Sequence, residues 1–431
     1  MRIHFPAMTN DTIAEALNRS CHCISVDQGA LRRSLEASFG EADTYSRLQD
    51  THPHLLANSP VFVSREHIDQ MTAVIGAIDR VSQLESFQNH VLDWVPDIAK
   101  SSHGPLGVFF GYDFHLTTDG PRLIEVNTNA GGALLLLHVA SAQQACCQAV
   151  ENFVVGRYDI ADLETEFVAM FRRELELQSP GTDLRRVAIV DESPTEQYLS
   201  PEFTLFKQMF AEHGIDAIIT GPDEFVLQDG KLVVDGDSVD LVYNRLTDFY
   251  LQSESCNVLS EAYDTGAAVF TPSPRTHALY ANKRTLTVLS DEELLGELGV
   301  DAATTSVLSR SVPKTRRVTA DNANELWSMR RRLFFKPNWG FGSRGTYKGA
   351  KLTKKAWASI LDGDYIAQEL VPPSERLIIV DGDHQSMKLD VRCYVYNGEI
   401  QLLGARLYRG QTTNFRTGGG GLAAVFTTPK F

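Results

Sequence analysis

Two acidic residues and an amide in the first third of the chain have the types and spacing to bind a divalent cation. Two apolar runs flank Asp119-Gly120, a dipeptide typical of β-hairpin turns. If the turn centres on Asp119, Asp113 faces Glu125 across the strands, and Asn127 lies on the same face. Two carboxylates and an amide oxygen suit Mg²⁺. An exposed hairpin with solvated acids is the alternative.

A second segment, Phe334–Gly345, is a strand that ends in a lysine and continues into a glycine-rich loop. Backbone N–H groups of such a loop can surround phosphate oxygens, and the lysine adds positive charge. The lysine precedes the glycines, so this is not a Walker A loop. A plain turn loop is the alternative. The phosphate-binding residues predicted here are Lys336, Gly340, Gly342, Ser343 and Gly345.

Further polar groups follow on later predicted strands. Tyr365–Val371 can offer backbone groups to an adenine edge, although most such strands are simply core. Asp390 and Arg392 share one strand face, which an ion pair alone would explain. Arginines that converge near a glycine loop suit phosphate or carboxylate recognition. The residues predicted to serve the nucleotide and its chemistry are Gln368, Glu369, Leu370, Val371, Glu375, Arg392, Asn414 and Arg416, of which Asn414 is assigned to substrate.

Composition limits the classes of partner. The 431 residues exceed what one core usually supports, and the net charge of −15 disfavours nucleic acid and anionic membranes as partners. From Ser306 to Phe431, 20 basic residues face 10 acidic ones, which indicates a local anion site, although a fluctuation in surface charge is the alternative. Six scattered cysteines and no bilayer-length apolar run predict reduced thiols and a cytoplasmic location.

The chain reads as three consecutive parts of an α/β protein. Residues 1–180 are a mainly helical region that carries the acidic hairpin. Residues 181–275 alternate strands and helices, which favours a Rossmann-like unit, although no glycine fingerprint implies a dinucleotide. Residues 276–431 follow an α+β pattern. In the middle part, Arg245 follows a predicted strand, where ligands commonly bind. We expect it to bind a substrate carboxylate, with a helix cap or surface ion pair as the alternative.

Together these segments resemble the ATP-grasp superfamily. The motifs that carry the resemblance are Asn282–Thr285 with Lys283, Glu297–Thr304, the Lys336 loop, Gln368–Val371, Asp390–Arg392, Asn414–Arg416, and the set Asp113, Glu125 and Asn127. In that family the metal-binding set normally comes last, whereas here it comes first. This order is similar to that of eukaryotic-type glutathione synthetases and other circularly permuted ATP-grasp ligases. One position departs from glutathione synthetase, which has a metal-binding glutamate where this chain has Gly340.

The resemblance implies a circularly permuted ATP-grasp fold with a Rossmann-like pre-ATP-grasp domain, and a carboxylate–amine ligase that uses ATP with Mg²⁺ or, alternatively, Mn²⁺. Lys283 and Lys336 would hold phosphates, the set at Asp113 would hold the metal, and Arg392 with Arg416 would stabilise the reacting groups. The substrates would be a small carboxylate and an amine such as an amino acid or small peptide. A phosphotransferase and a catalytically silent ATP-binding regulator are the alternatives, and a homodimer is left open.

Overall fold

The computed structural model describes residues 10–22, 24–41, 43–145, 159–340 and 345–428. The longer α-helices are Asn10–Ser20, Gln28–Phe39, Thr44–Thr51, Arg65–Ser82, Glu85–Leu92, Ala133–Ser141, Ile160–Gln178, Ser200–Glu212, Asn257–Thr265, Thr285–Leu289, Glu292–Glu297, Ala302–Ser311, Ala323–Met329 and Lys354–Asp362. A π-helical turn, His277–Ala281, precedes Lys283.

The strands in chain order are β1 (Ile24–Val26), β2 (Val61–Ser64), β3 (Phe110–Thr117), β4 (Gly120–Asn127), β5 (Gln143–Ala145), β6 (Arg186–Val190), β7 (Asp216–Thr220), β8 (Val226–Gln228), β9 (Lys231–Val234), β10 (Asp237–Ser238), β11 (Leu241–Asn244), β12 (Val269–Thr271), β13 (Thr315–Arg317), β14 (Leu333–Pro337), β15 (Tyr347–Lys348), β16 (Tyr365–Glu369), β17 (Ser374–Val380), β18 (Asp383–Tyr396), β19 (Glu399–Tyr408) and β20 (Gly421–Thr428).

The largest sheet joins distant parts of the sequence. Its strands run in the order β2-β20-β19-β18-β3-β4, with β17 also paired to β18. The early hairpin β3–β4 therefore lies beside the late strand β18, and Asp113 is directly opposite Arg392. The acidic hairpin therefore packs beside the C-terminal strands.

The hairpin pairs Asp113 with Glu125 as predicted, although its turn and its strand register differ from the prediction. Near the turn, Thr117 pairs with Gly120, whereas a turn centred on Asp119 would pair it with Pro121, so the partner of each residue is shifted by one position. A β-bulge then adds one unpaired residue, Ile124, and restores the pairing of Asp113 with Glu125. The two shifts cancel, which is why the predicted facing pair is right although the predicted turn centre is wrong.

The middle part contains the expected Rossmann-like sheet. Its strands run β12-β11-β6-β7, and all of its pairings are parallel. β6 and β11 are wholly apolar or buried apart from Arg186, as a strand covered on both faces requires. Strand β9 lies in the same part of the chain, but it pairs antiparallel with β8 and β10 in a separate small sheet.

A four-stranded sheet in residues 276–431 runs β13-β16-β14-β15. The helix that begins at Thr285 ends at Leu289, and Asp291 caps a second helix by accepting a hydrogen bond from the backbone N–H of Leu294. The glycine-rich segment before the C-terminus leads into β20, which pairs antiparallel with β19 and parallel with β2.

The most apolar segment of the chain, helix Ala133–Ser141, is a core element. Its Leu134, Leu135, Leu136 and Leu137 side chains are fully buried between the large sheet and the neighbouring helices. In the part of the chain that the structure describes, no helix combines the length and apolarity needed to cross a bilayer.

Candidate functional site

A cleft of about 970 Å³ opens between the hairpin, the β13-β16-β14-β15 sheet and the Rossmann-like sheet. It brings together residues that are far apart in the sequence. The predicted site residues that line it are Asp113, Glu125, Asn127, Arg245, Lys283, Lys336, Gly340, Gln368, Glu369, Leu370, Val371, Glu375, Arg392 and Asn414.

Asp113 lies at the floor of this cleft, in a network of ion pairs that contains two arginines. Arg392 binds it through two hydrogen bonds, Nε to Oδ1 at 2.7 Å and Nη2 to Oδ2 at 2.8 Å. Arg406 donates Nη2 to Oδ2 at 2.8 Å, and its Nε donates to Asp390 at 2.7 Å. The network alternates two carboxylates with two guanidiniums, so its charges cancel within a buried region.

The arginine network explains why the pKa of Asp113 is low and why the residue opposite Asn127 is a glycine. Burial alone would raise the pKa of Asp113, but the guanidiniums of Arg392 and Arg406 hold it below its ordinary value. Gly111, the cross-strand partner of Asn127, leaves the room that the network needs. A Cβ at this position would lie 3.2 Å from Arg392 Nε and 2.5 Å from the Cβ of Ala130.

Glu125 lies in a looser cluster with two lysines. Lys336 Nζ is 3.6 Å from Glu125 Oε2 and donates a hydrogen bond to the carbonyl of the bulge residue Ile124 at 2.9 Å. Lys283 Nζ donates to the Gly340 carbonyl at 2.6 Å. The Glu125 side chain is 31% exposed toward the cleft, compared with 2% for Asp113.

The electrostatics of this cluster are coupled. Burial alone would raise the pKa of Glu125, but the ammonium groups of Lys336 and Lys283 lower it. Burial lowers the pKa of Lys336 and of Lys283, and the Glu125 carboxylate opposes that shift. Two ammonium groups beside one carboxylate leave a positive surface that suits a polyanion.

The residues fit a divalent cation in part. Asn127 donates its Nδ2 to Asp113 Oδ2 at 3.1 Å, so its Oδ1 is directed away from that carboxylate. Glu125 and this amide oxygen are suitable Mg²⁺ ligands that leave positions for phosphate and water oxygens. Asp113 Oδ2 already accepts three N–H groups, which occupy the lone pairs that a metal would need. Among the described residues, no three His, Cys, Asp or Glu side chains could together hold an ion.

The predicted adenine segment forms β16 and its continuation along the cleft. Gln368 is buried, and Glu369 is exposed and 3.6 Å from Arg122. Glu375, the residue expected to serve a ribose, is exposed and accepts a hydrogen bond from Ser386 at 2.7 Å. The expected segment therefore lies along the cleft wall, but the carboxylates of Glu369 and Glu375 already interact with other residues of the protein.

Other predicted residues lie elsewhere or are engaged within their own loop. Arg416 is exposed and Gly345 has φ +67°, and neither is among the described residues that line the cleft. Asn414 lines the cleft, but its amide bonds within the loop to Arg409, Thr412, Arg416 and Thr417. Gly342 and Ser343 lie outside the described residues.

The loop that follows β19 faces the cleft through residues 410–415. Thr413 donates a hydrogen bond to Asp390 at 2.6 Å. Tyr198 donates its hydroxyl to the Phe415 carbonyl at 3.1 Å, and the two rings stack. The loop thus contacts both the arginine network and the Rossmann-like part.

At the other end of the cleft, Arg245 follows β11 and is 7% exposed. It donates to the Asn129 carbonyl at 2.8 Å, while its Nε has no hydrogen-bond partner among the described residues. Asp191 follows β6 and lines the same end of the cleft. Burial raises the pKa of Asp191 to about 6, and Arg245 opposes the shift. Both residues lie at the carboxyl edge of the parallel sheet, where ligands commonly bind.

Among the lining residues that were not predicted as site residues, Arg406, Asp191 and His277 carry ionisable groups. The observed strand register explains why Arg406 lies in the site, because it places Arg406 directly opposite Asp390. Asp191 directly follows a buried strand, a signal that the sequence does contain. His277 carries no such signal. Its ring stacks on Phe249 with centroids 3.9 Å apart, and burial lowers its pKa to about 3, so the imidazole is neutral near pH 7.

Comparisons with known proteins find similar solved structures, but no matching family model and no matching curated protein. The chain is similar to a glutathione synthetase-like effector from Globodera pallida, with a TM-score of 0.56 and 13% identity over 92% of this chain and 98% of that one. The chain has an ATP-grasp fold. This confirms the ATP-grasp fold expected from the sequence motifs, whereas the circular permutation stays a prediction.

Two further solved structures are less similar. A Methylobacillus flagellatus protein with the provisional name gamma-glutamylcysteine synthetase has a TM-score of 0.45 and 11% identity, over 82% of this chain and 86% of that one. The ATP-grasp ligase PsnB, complexed with a minimal precursor, Mg and ADP, has a TM-score of 0.30 and 13% identity, over 57% of this chain and 89% of that one. At these identities the likeness concerns the fold, so activity must be argued from the site itself.

Proposed function

We propose that this chain is an ATP- and Mg²⁺-dependent ligase that joins a carboxylate to an amine, with an acyl phosphate as the intermediate. One observation carries the proposal. Two ammonium groups, Lys283 and Lys336, lie beside the Glu125 carboxylate at one end of a cleft, and the same cleft extends to the guanidinium of Arg245 at its other end. A single cavity thus offers a polyphosphate site and a separate carboxylate site.

Glu125 and the Oδ1 of Asn127 would hold the metal ion, either Mg²⁺ or Mn²⁺, which neutralises phosphate charge when bound. Asp113 is better assigned to the arginines than to the metal, because Arg392, Arg406 and Asn127 already donate to its oxygens. Its role is to fix the direction of Arg392 and the amide of Asn127. This assignment replaces the expected three-ligand set by two ligands and one positioning residue.

Phosphoryl transfer depends mostly on positioning and on neutralising charge. Lys283 and Lys336 would bind the phosphates of ATP. A substrate carboxylate oxygen would form a bond to the γ-phosphorus while the bond to the β–γ bridging oxygen breaks, which releases ADP. Arg392 uses Nε and one Nη2 proton on Asp113, so its remaining N–H groups can serve the transferring phosphoryl group.

The second step would form the amide. The amine nitrogen attacks the acyl carbon, the bond to the phosphate oxygen breaks, and inorganic phosphate leaves while the amine proton passes to solvent. Arg245 is suited to a second carboxylate on the acid or the amine, because its buried Nε points to no partner among the residues described. Asp191 beside it suits a cationic group, so an amino acid or small peptide is the proposed class of substrate.

Several expectations stay predictions. The hairpin precedes both lysines in the sequence although it shares their cleft, which agrees with a circularly permuted order. The domain division at residues 180 and 275, the cytoplasmic location and a homodimer also remain to be tested.

The test is a screen of amino-acid and small-peptide pairs with ATP and Mg²⁺, in which ADP is measured enzymatically and new amides by mass spectrometry. We expect ADP release that needs both partners and gives one amide per ADP. The matched control is Glu125→Gln, which should release no ADP above background. A phosphorylated acid without any amide would instead indicate a phosphotransferase, and nucleotide binding without turnover would indicate a silent regulator. Either result contradicts ligase activity.

A further inference from the structure

Apolar and aromatic side chains line the cleft together with the charged groups of Arg245 and Asp191. They come from two segments that are far apart in the chain, and they are Tyr198, Leu199, Phe203 and Phe415. Small-molecule sites commonly combine an apolar wall with a few charged groups that fix the orientation of the ligand. The charged pair accounts for the carboxylate and the amine of an amino acid, so the apolar residues are left for its side chain.

Leu199 and Phe203 lie directly beside the guanidinium of Arg245. Gly131 shows how close they are, because a Cβ at this position would lie 2.5 Å from Leu199 Cδ1 and 2.6 Å from Arg245 Nη2. The centroid of the Phe203 ring is 5.8 Å from the Cζ atom of Arg245. A ligand whose carboxylate binds Arg245 therefore has apolar surface next to its other groups.

The apolar wall continues to a pair of aromatic rings. Tyr198 directly precedes Leu199 and is 38% exposed. Its ring stacks on that of Phe415 with the centroids 5.8 Å apart, and its hydroxyl donates to the Phe415 carbonyl. Two rings that hold each other in one position offer apolar area at little further entropic cost. The wall thus extends from the buried Phe203 to a surface that a ligand can cover.

The Arg245 end of the cleft is also close to Arg392. A Cβ at Gly111 would lie 2.5 Å from the Cβ of Ala130 and 3.2 Å from Arg392 Nε. Ala130 directly precedes Gly131, which contacts Arg245 on its other side. A ligand that binds Arg245 therefore lies near the arginine proposed to serve the transferring phosphoryl group.

We propose that the amine partner of the reaction is an α-amino acid with a large apolar side chain, of the size of leucine or phenylalanine. Its carboxylate would accept from Arg245, and its ammonium group would lie against Asp191 until it loses a proton and attacks. Its side chain would cover Leu199 and the Tyr198–Phe415 pair. Such an amino acid has one carboxylate, so its amino group is left to react once Arg245 holds that carboxylate. The proposal rests on the proposed function, because it names a substrate of the same reaction.

Isothermal titration calorimetry with four amino acids tests the proposal without turnover. The full chain is first saturated with Mg·ADP, and the probes are then leucine, phenylalanine, glycine and glutamate. We expect leucine and phenylalanine to bind about tenfold or more tightly than glycine and glutamate, because an apolar pocket discriminates by about tenfold or more for each methylene group that it buries. Glycine tests the need for a side chain, and glutamate tests the need for an apolar one.

Leu199→Ala should weaken the binding of leucine and phenylalanine about tenfold and leave that of glycine unchanged. A variant that weakened all four amino acids alike would show a structural role and contradict the assignment of Leu199. The matched control is Leu361→Ala, which should keep the wild-type preferences. Leu361 is an exposed leucine on helix Lys354–Asp362 and is not among the described residues that line the cleft.

Three results with wild-type protein would overturn the inference: equal affinity for the four amino acids, tighter binding of glutamate, or no binding of leucine and phenylalanine. As long as Mg·ADP binds, each of these results leaves the proposed function intact. If Mg·ADP does not bind, the proposed function fails and this inference fails with it. The wild-type comparison needs no variant, so it decides the matter even if Leu199→Ala does not fold.

Discussion

Two acidic residues face each other across the same hairpin, yet they have different surroundings. Asp113 accepts hydrogen bonds from Arg392 and Arg406 at 2.7–2.8 Å and is almost fully buried. Glu125 has its ammonium partner at 3.6 Å and is partly exposed to the cleft. One carboxylate is saturated by the protein, and the other retains capacity for a ligand.

This difference separates structural and ligand-binding roles within one cross-strand pair. A buried carboxylate that holds two guanidiniums fixes their directions before any substrate arrives, and fixed donors stabilise charge at little reorganisation cost. A partly exposed carboxylate whose ammonium partner lies 3.6 Å away retains oxygen lone pairs for a cation that accompanies phosphates. We therefore expect changes at Asp113 to affect folding, and changes at Glu125 to affect binding.

The largest effect should come from Asp113→Asn. Removing one partner of a buried ion pair leaves uncompensated charge on Arg392 and Arg406, which costs about 3–5 kcal/mol of the free energy of unfolding. Urea denaturation followed by circular dichroism measures this loss. A loss of unfolding free energy below about 1 kcal/mol, the range of exposed ion pairs, would contradict a buried ion-pair network around Asp113.

Glu125→Gln should separate binding from stability. Because its lysine partner is distant and its side chain is partly solvated, we expect the free energy of unfolding to change by less than about 1 kcal/mol. Binding of Mn²⁺ in the presence of ADP, measured by electron paramagnetic resonance, should weaken about tenfold or more. Unchanged Mn²⁺ affinity would remove Glu125 from the metal site.

The pH dependence of stability sharpens the same contrast. Burial alone would raise the pKa of Asp113, but the arginines hold it below its ordinary value of 3.8. The carboxylate thus contributes its full stabilisation above 3.8, and the contribution disappears as pH falls through the folded-state pKa. The stability difference between wild type and Asp113→Asn should be constant from pH 6 to 8 and narrow in acid, as seen in thermal melts. A difference that widens in acid would contradict this sign.

The smallest effect concerns the loop that contacts the network. Thr413→Val removes the hydrogen bond from the hydroxyl to Asp390, which should cost about 0.5–1.5 kcal/mol. Thr412→Val is the matched control on the same loop. Urea denaturation of the pair measures the difference, and equal stability of the two variants would show that the loop does not depend on this bond.

The sequence predicts which residues line the cleft better than it predicts which of their charged groups form ion pairs with each other. The hairpin pair, Lys336 and Arg392 were predicted because strand periodicity and spacing carry that information, whereas Lys283 was implied by the resemblance to the ATP-grasp superfamily. The saturation of Asp113 was not, because it depends on Arg406, which reaches the hairpin only through the order of strands β19, β18 and β3. Long-range strand order is the part that local patterns do not encode.

Two local features also escaped prediction for physical reasons. The bulge at Ile124 frees a carbonyl for Lys336, but a single inserted residue has no distinct composition. Strand β20 follows a run of glycines that is typical of a loop, and it is stabilised by tertiary pairing with β2 and β19. In both cases the surrounding sheet decides the conformation, and propensity alone does not.

A crystal structure with Mg²⁺ and a non-hydrolysable ATP analogue would test the central claim most directly. We predict phosphates on Lys283 and Lys336, with the metal on Glu125 and Asn127 and with Asp113 still bound to Arg392 and Arg406. A metal on Asp113 with the arginines displaced, or a nucleotide bound outside this cleft, would contradict the account.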